Sequence, residues 1–269
     1  MAGARKQVTA PGIRAMKGSG ERIVALTAYD SITAKLVDEA GADIILVGDS
    51  AAMVVLGYDS TLPVTVDEMV MLTAAVSRAK PAALVVGDMP FMSYQADVAD
   101  AVRTAGRFVK DGGASAVKLE GGAKVADRVR AIVEAGIPVM GHIGLTPQSV
   151  HEFGGYRIQG RSEDARARLL EDARALDEAG CFSLVLEAMP RDLGTEITKV
   201  VAMPTIGIGA GPNCDGQVLV INDILGYTEG RAAKFVRRYG DARSLVLDAA
   251  RGFCEDVRSG AYPRDEESY

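Results

Sequence analysis

The chain has 269 residues, of which 48% are hydrophobic and 25% are charged, and its formal net charge is −6. These values are ordinary for a globular protein, and the acidic balance argues against general nucleic-acid binding. No apolar stretch reaches the ~18 residues of a membrane-spanning helix, so we expect no membrane association.

The N-terminal segment, residues 1–20, has basic residues but no apolar core of a secretory signal. We interpret it as an arm or a short helix. The three cysteines, Cys181, Cys214 and Cys254, are widely spaced and form no C-x-x-C pair. This usage argues against a disulfide framework and predicts a reducing, cytoplasmic environment.

From Arg22 onward, short apolar runs bounded by Gly or Pro alternate with stretches of helical periodicity, which predicts strands and helices in turn. The predicted strands are 22–28, 43–49, 82–88, 115–120, 137–142, 182–187, 203–208 and 217–221. The predicted helices are 30–40, 66–79, 98–111, 123–135, 162–179, 191–201 and 231–259, the last with a break near Gly240. Eight such repeats predict a single (β/α)8 TIM barrel over residues 21–269.

Charged or imidazole side chains stand at the C-terminal ends of five predicted strands. They are Asp49, Asp88, Lys118, Glu120, His142 and Glu187. The C-terminal strand ends of a parallel barrel meet at one face, where such enzymes hold their active sites. The sequence therefore predicts one shared site, although ion pairs at a barrel rim would give the same pattern.

Strand alternation predicts which side chains face the barrel mouth. Lys118 and Glu120 are two residues apart and should share a face, as should Ile45, Val47 and Asp49. The acids Asp49, Asp88 and Glu120 would place three negative charges beside a single lysine. A divalent cation would balance them, and oxygen ligands favour Mg²⁺ over zinc.

Eight segments of the chain, taken in order, resemble the ketopantoate hydroxymethyltransferase family. They are 26–30 (LTAYD), 46–50 (LVGDS), 57–65 (GYDSTLPVT), 87–92 (GDMPFM), 116–122 (AVKLEGG), 141–149 (GHIGLTPQS), 153–161 (FGGYRIQGR) and 206–217 (IGIGAGPNCDGQ). The resemblance extends from Arg22 to the C-terminus. It implies a barrel of the phosphoenolpyruvate/pyruvate-like type.

The resemblance also implies roles for individual residues. The metal ligands of the family fall on Asp49, Asp88 and Glu120. The contacts to the keto acid fall on Asp49, Ser50, Asp88 and Lys118. The general base falls on Glu187, and Lys118 and His142 complete the predicted catalytic set. The chain departs from the family at its tail, residues 266–269 (EESY), which lacks the usual histidine.

The activity implied by the resemblance is hydroxymethyl transfer to 3-methyl-2-oxobutanoate, which gives 2-dehydropantoate for pantothenate and coenzyme A synthesis. The expected one-carbon donor is 5,10-methylenetetrahydrofolate, and the expected route is a Mg²⁺-stabilised enolate with one ion per subunit. The resemblance further implies a homo-oligomer, a decamer of two stacked pentamers. Two alternatives stay open, a different Mg²⁺-dependent 2-oxo-acid lyase or mutase on the same barrel, and a catalytically silent scaffold.

Overall fold

Eight strands form the sheet of the computed structural model, which describes residues 5–228 and 232–269. The strands are β1 (Ile23–Thr27), β2 (Ile44–Val47), β3 (Leu84–Asp88), β4 (Ala116–Lys118), β5 (Val139–Gly144), β6 (Ser183–Glu187), β7 (Thr205–Ile208) and β8 (Gly216–Leu219). Each strand is parallel to the next one in the chain, and β8 pairs with β1. The sheet is therefore a closed barrel, which confirms the predicted fold.

Helices follow the strands, and side chains at the helix starts fix where most of them begin. The helices are α1 (Ala10–Ala15), α2 (Ser31–Glu39), α3 (Ala51–Val54), α4 (Val66–Ser77), α5 (Val98–Lys110), α6 (Ala126–Glu134), α7 (Val150–Phe153), α8 (Glu163–Glu178), α9 (Arg191–Val200), α10 (Ile221–Ile224) and α11 (Ala242–Ser259). Short 3₁₀ turns cover Ala123–Val125, Pro147–Ser149 and Asp265–Glu267. Asp30, Asp97 and Ser162 cap α2, α5 and α8 by accepting backbone amides.

The barrel interior is filled by apolar side chains that alternate along the strands. Ile44 and Leu46 of β2 pack in this interior with residues of the other seven strands. The prediction that Ile45, Val47 and Asp49 share the mouth-facing side is therefore wrong for the two apolar residues. Asp49 still reaches the mouth, because β2 ends at Val47 and the alternation ends with it.

The N-terminal segment closes the opposite end of the barrel. Ala10 and Ile13 of α1 belong to the same buried cluster as the strand interiors, and Ile13 is fully buried. Arg14 Nη1 donates to the carbonyl of Cys181 at 2.8 Å, and Lys17 Nζ lies 2.8 Å from Asp215 Oδ2. Cys181 lies two residues before β6 and Asp215 directly before β8, so α1 covers the N-terminal ends of the barrel strands.

Among the described residues, the eight strands and α1 to α9 lie in one compact unit that ends at Val220, and a second unit begins at Ile221. The barrel is already closed before Ile221. The prediction of one domain over residues 21–269 stays a prediction.

The second unit contains α10 and α11. The predicted helix 231–259 is wrong over residues 232–241, and Arg231 lies outside the described residues. There the amides of Tyr239 and Gly240 donate to the carbonyl of Ile224 instead of forming helical bonds. The helix begins at Ala242, next to the predicted break. Among residues 5–228 and 232–269, no helix has the length and apolar character of a membrane span.

Candidate active site

The structure brings the six predicted strand-end side chains together at the C-terminal mouth of the barrel. They are Asp49, Asp88, Lys118, Glu120, His142 and Glu187. All except Glu187 are buried, and the Glu187 side chain is 15% exposed. Glu187 is therefore the member of the group that is accessible from the solvent side.

Lys118 lies at the centre of the group. Its Nζ is 2.7 Å from Asp88 Oδ1, 3.8 Å from Glu120 Oε1 and 3.4 Å from His142 Nδ1. Burial lowers the pKa of Lys118, but the charges of Asp88, Glu120 and Asp49 outweigh burial and raise it above its usual value. The ammonium therefore stays charged, and it is held at a fixed point by the acids around it.

Asp49 is joined to the group by two hydrogen bonds. Its backbone amide donates to Asp88 Oδ2 at 3.0 Å, and its own Oδ2 accepts from Gln148 Nε2 at 3.0 Å. Burial raises the pKa of Asp49 well above its usual value, and the charges of Asp88 and Glu120 raise it further. Burial also raises the pKa of Asp88. The positive charge of Lys118 therefore does not fully compensate the negative charge of these two carboxylates.

Glu120 is better compensated than the two aspartates. Its Oε2 accepts from the backbone amide of Gln148 at 3.0 Å, and its Oε1 lies 3.4 Å from His142 Nδ1. Burial acts to raise the pKa of Glu120, but His142, Lys118 and the Gln148 amide together lower it. Glu120 is therefore the acid of the three that is most stable in its charged form.

His142 connects this acid cluster to Glu187. Its Nε2 lies 3.2 Å from Glu187 Oε2, but the angles are not those of a hydrogen bond. Burial and Lys118 lower the pKa of His142, but its pairing with Glu120 and Glu187 outweighs them and raises the pKa to about 9. The imidazole thus lies as a cation between two carboxylates.

Gly144 of β5 permits the contact between His142 and Glu187 of the neighbouring strand β6. Its φ is +99°, and a Cβ at this position would lie 2.2 Å from the carbonyl oxygen of Glu187. Residues other than glycine rarely adopt this conformation, and a side chain would push β6 away from β5. Glycine at position 144 therefore keeps Glu187 paired at the mouth.

Ser50 lies beside the group and contacts a different partner. Its Oγ is 2.9 Å from Tyr29 Oη, and the residue directly precedes α3. Tyr29 belongs to the segment LTAYD, whose role the sequence did not reveal. The predicted role of Ser50 in binding the keto acid stays a prediction.

Two buried residues of the site, Tyr94 and Gln148, were not singled out from the sequence. Tyr94 Oη donates to Gln148 Oε1 at 2.7 Å and accepts from the backbone amide of Glu120 at 3.0 Å. Both residues lie in loops, where no periodicity predicts burial. The sequence signal that could have found Gln148 is its place in the long segment after β5, close behind His142.

The donor atoms of the cluster suit a divalent cation. Asp88 Oδ1 and Glu120 Oε1 are buried and have no well-aligned hydrogen-bond partner among the described residues. Carboxylate oxygens with a shortage of positive charge fit Mg²⁺, which takes few protein carboxylates and keeps other positions for water or substrate. Within the described ranges, no three His, Cys, Asp or Glu side chains converge closely enough to ligate one ion together.

Two cavities adjoin the mouth. The larger, about 610 Å³, lies between Gly121, Thr146, Gln159 and the first turns of α8. The smaller, about 450 Å³, is lined by Phe91, Tyr94, Glu120 and Gln148, among others. The smaller cavity is the one that reaches an acid of the cluster. Both volumes are in the range of small-molecule sites.

The sequence matches one protein family over almost its whole length. The sequence model of the ketopantoate hydroxymethyltransferase family matches residues 7–265. The 3-methyl-2-oxobutanoate hydroxymethyltransferase of Geobacter metallireducens is 57% identical over 257 residues, which are 96% of each chain. Those of Moorella thermoacetica and Pelobacter propionicus are 57% and 55% identical over 265 and 269 residues, which are 98% and 100% of each chain.

Solved structures share the barrel at much lower identity. Phosphonopyruvate hydrolase, in complex with oxalate and Mg++, aligns with a TM-score of 0.63 at 14% identity over 97% of this chain and 93% of the other. 2,3-Dimethylmalate lyase, a member of the PEP mutase/isocitrate lyase superfamily, aligns with a TM-score of 0.61 at 18% identity over 98% and 93% of the two chains. These likenesses show that the two proteins share the barrel fold of this chain.

Proposed function

The chain belongs to the ketopantoate hydroxymethyltransferase family, and we propose that the acid cluster at its barrel mouth is the active site. Its activity is hydroxymethyl transfer to 3-methyl-2-oxobutanoate in pantothenate synthesis. The observation that carries the proposal is one network of hydrogen bonds and ion pairs that links all six strand-end residues, at the face where such barrels are catalytic.

The one-carbon donor in this proposal is 5,10-methylenetetrahydrofolate. Proton loss from C3 of the keto acid gives an enolate, which forms a carbon–carbon bond to the methylene carbon. The two bonds from the methylene carbon to N5 and N10 of the folate break, and water supplies the new hydroxyl group. The C3 proton and the second proton of the water balance the two N–H groups of the product, so the products are 2-dehydropantoate and tetrahydrofolate. The quaternary C3 of the product requires the single C3 proton to leave, so a base must face this carbon.

The proposed cofactor is one Mg²⁺ per subunit. The predicted ligands Asp49, Asp88 and Glu120 would hold it, because Asp88 Oδ1 and Glu120 Oε1 are buried without a well-aligned hydrogen-bond partner among the described residues, and Asp49 is hydrogen-bonded to Asp88 and Gln148. When bound, the ion supplies Lewis-acid polarisation of the keto group.

The remaining predicted residues of the site act on the keto acid. The Lys118 ammonium is a fixed positive charge beside the position where the enolate oxygen develops, which stabilises that charge in a buried site. Ser50 presents a hydroxyl next to Asp49. Glu187 is the proposed base, because its carboxylate is the accessible one. His142 holds Glu187 from the side of the acids.

Replacement of Lys118 tests its role in substrate binding. In Lys118→Ala, we expect a higher KM for the keto acid and a lower kcat, because the charge next to the developing oxyanion is lost. Stability should fall as well, since Asp88 and Glu120 lose a buried cation. Steady-state kinetics and thermal unfolding measure the two effects separately.

Lys17→Ala is the matched control. Lys17 is paired with Asp215 at 2.8 Å at the opposite end of the barrel, so its loss should lower stability and leave kcat and KM unchanged. If Lys118→Ala behaves like this control, Lys118 is a structural residue and has no part in binding the keto acid.

The activity itself is tested by direct assay. The chain is expected to form 2-dehydropantoate from 3-methyl-2-oxobutanoate and 5,10-methylenetetrahydrofolate, and to require a divalent cation. A lyase or mutase would convert a 2-oxo acid without the folate. A silent scaffold would convert no 2-oxo acid, with or without the folate. Formation of 2-dehydropantoate by the purified chain therefore separates the three hypotheses.

The proposal includes a cytoplasmic homo-oligomer, which the family resemblance implies to be a decamer. Sedimentation velocity of the full chain measures the mass directly. A monomer at the concentrations used for the assay would contradict this part of the proposal.

A further inference from the structure

Gln148 is the residue that joins the acids of the cluster to each other. Its side-chain Nε2 donates to Asp49 Oδ2 at 3.0 Å, and its backbone amide donates to Glu120 Oε2 at 3.0 Å. The residue is only 5% exposed. It follows β5 on the 3₁₀ turn Pro147–Ser149, whose backbone is fixed in turn by the Thr146–Ser149 hydrogen bond.

The surroundings allow the Gln148 amide one orientation. Nε2 faces two acceptors, the Asp49 carboxylate and the carbonyl of Met89, each at 3.0 Å. Oε1 faces two donors, the hydroxyl of Tyr94 at 2.7 Å and Nε2 of Gln95 at 3.1 Å. A flipped amide would set its oxygen against the Asp49 carboxylate and the Met89 carbonyl, which are both acceptors, so the NH₂ group is committed to Asp49.

A shared pattern appears when the three acids are compared. One carboxylate oxygen of each accepts from an amide: Asp49 Oδ2 from the Gln148 side chain, Asp88 Oδ2 from the Asp49 backbone, and Glu120 Oε2 from the Gln148 backbone. The second oxygens of Asp88 and Glu120 lie near Lys118 Nζ. Two of the three amides come from Gln148, so this residue sets the orientation of acids on both sides of Lys118.

We infer that Gln148 is a positioning residue, held by Tyr94, that orients Asp49 and Glu120 for binding a divalent cation. The inference rests on the proposed function, since it assumes a cation at this cluster. The Gln148 side chain acts through Asp49 and its backbone acts through Glu120, so a side-chain substitution affects the first contact and leaves the second. Loss of hydrogen bonds to a metal-binding carboxylate typically lowers metal affinity by about 10–100-fold.

The test is Mn²⁺ binding, measured by electron paramagnetic resonance of the free ion, with thermal unfolding recorded for each protein. Gln148→Met keeps the length of the side chain and removes both of its hydrogen-bonding groups. We expect Mn²⁺ affinity to fall roughly 10–100-fold. Gln217→Met is the matched control, because Gln217 is exposed on β8 and its side-chain Nε2 donates to the carbonyl of Gly211, away from the acid cluster. Its Mn²⁺ affinity should equal that of the wild type.

A double-mutant cycle with Asp49→Asn separates positioning from a general structural effect. If Gln148 acts through Asp49, Gln148→Met should add little to the loss of affinity already caused by Asp49→Asn. Full additivity of the two losses would overturn the inference, as would unchanged Mn²⁺ affinity in Gln148→Met, whatever its melting temperature.

Should Gln148→Met not fold, Tyr94→Phe takes its place, because it removes the donor that fixes the amide. Weaker Mn²⁺ binding by this variant is then expected, and unchanged binding overturns the inference.

The same titration distinguishes this inference from the proposed function. A wild-type chain that binds no Mn²⁺ would contradict the metal site and the positioning role together. A wild-type chain that binds Mn²⁺, with a folded Gln148→Met variant that binds it equally well, would contradict the positioning role alone.

Discussion

Asp88→Asn is expected to lose metal-dependent turnover while keeping its fold. The amide has the shape of the carboxylate and can still accept the hydrogen bond from the backbone of Asp49. It removes the charge that lies 2.7 Å from Lys118 Nζ and that would bind the cation. Lewis-acid stabilisation is worth several kcal/mol, so we expect kcat to fall by about 10²-fold or more. Steady-state kinetics over a range of Mg²⁺ concentrations measure this loss.

The control for Asp88 is another aspartate that accepts backbone amides in the same barrel. Asp38 accepts from Ala82 and Ala83 at 2.9 and 2.8 Å, at the N-terminal end of β3. Asp38→Asn should therefore leave the dependence on Mg²⁺ unchanged. If Asp88→Asn retains the turnover and the Mg²⁺ dependence of the wild type, Asp88 is not a ligand.

Glu187→Gln is expected to bind the keto acid and fail to remove its C3 proton. General-base catalysis contributes about 10²–10⁴-fold, so exchange of this proton with deuterium should slow by that factor. Binding should change little, because the substrate contacts proposed for Asp49, Ser50 and Lys118 are intact. Proton NMR of 3-methyl-2-oxobutanoate in D₂O, with Mg²⁺ and without folate, follows the exchange.

Glu196→Gln is the control for this loss of a carboxylate. Glu196 lies on α9 and pairs with Arg166 on the outer surface, so its exchange rate should match the wild type. Rapid C3 exchange by Glu187→Gln would place the base elsewhere. His142 would be the next candidate, because loss of the Glu187 charge removes one of the two pairings that raise the pKa of His142 and keep it protonated.

The barrel and the convergence of its charged residues could be predicted because both depend on local patterns. Short apolar runs separated by helical periodicity are properties of the sequence, and eight of them in parallel leave few topologies. Asp88 and Glu187 end their strands as predicted, whereas β4 ends at Lys118, two residues before the predicted end at Glu120. Once the strands are parallel, their ends must meet.

The contacts that depend on loops could not be predicted in this way. Asp49 lies past the end of β2, so strand alternation wrongly predicted that it shares a face with Ile45 and Val47. Gln148 and Tyr94 are polar residues in loops, and only the folded structure shows that they are buried against the acids. The role of α1 in closing the barrel depends on contacts with distant strands, such as that of Arg14 with Cys181. The end of the last predicted helix at Ala242 depends on hydrogen bonds to α10.

The central claim is that the acid cluster, with a divalent cation, removes the C3 proton before the one-carbon unit is added. Deuterium exchange at C3 of 3-methyl-2-oxobutanoate by the wild-type chain, in the absence of folate, tests it most directly. The account predicts exchange with Mg²⁺ present, its loss when the ion is chelated, and its return when Mg²⁺ is restored. No exchange with saturating Mg²⁺, or an exchange rate that chelation does not change, would contradict it.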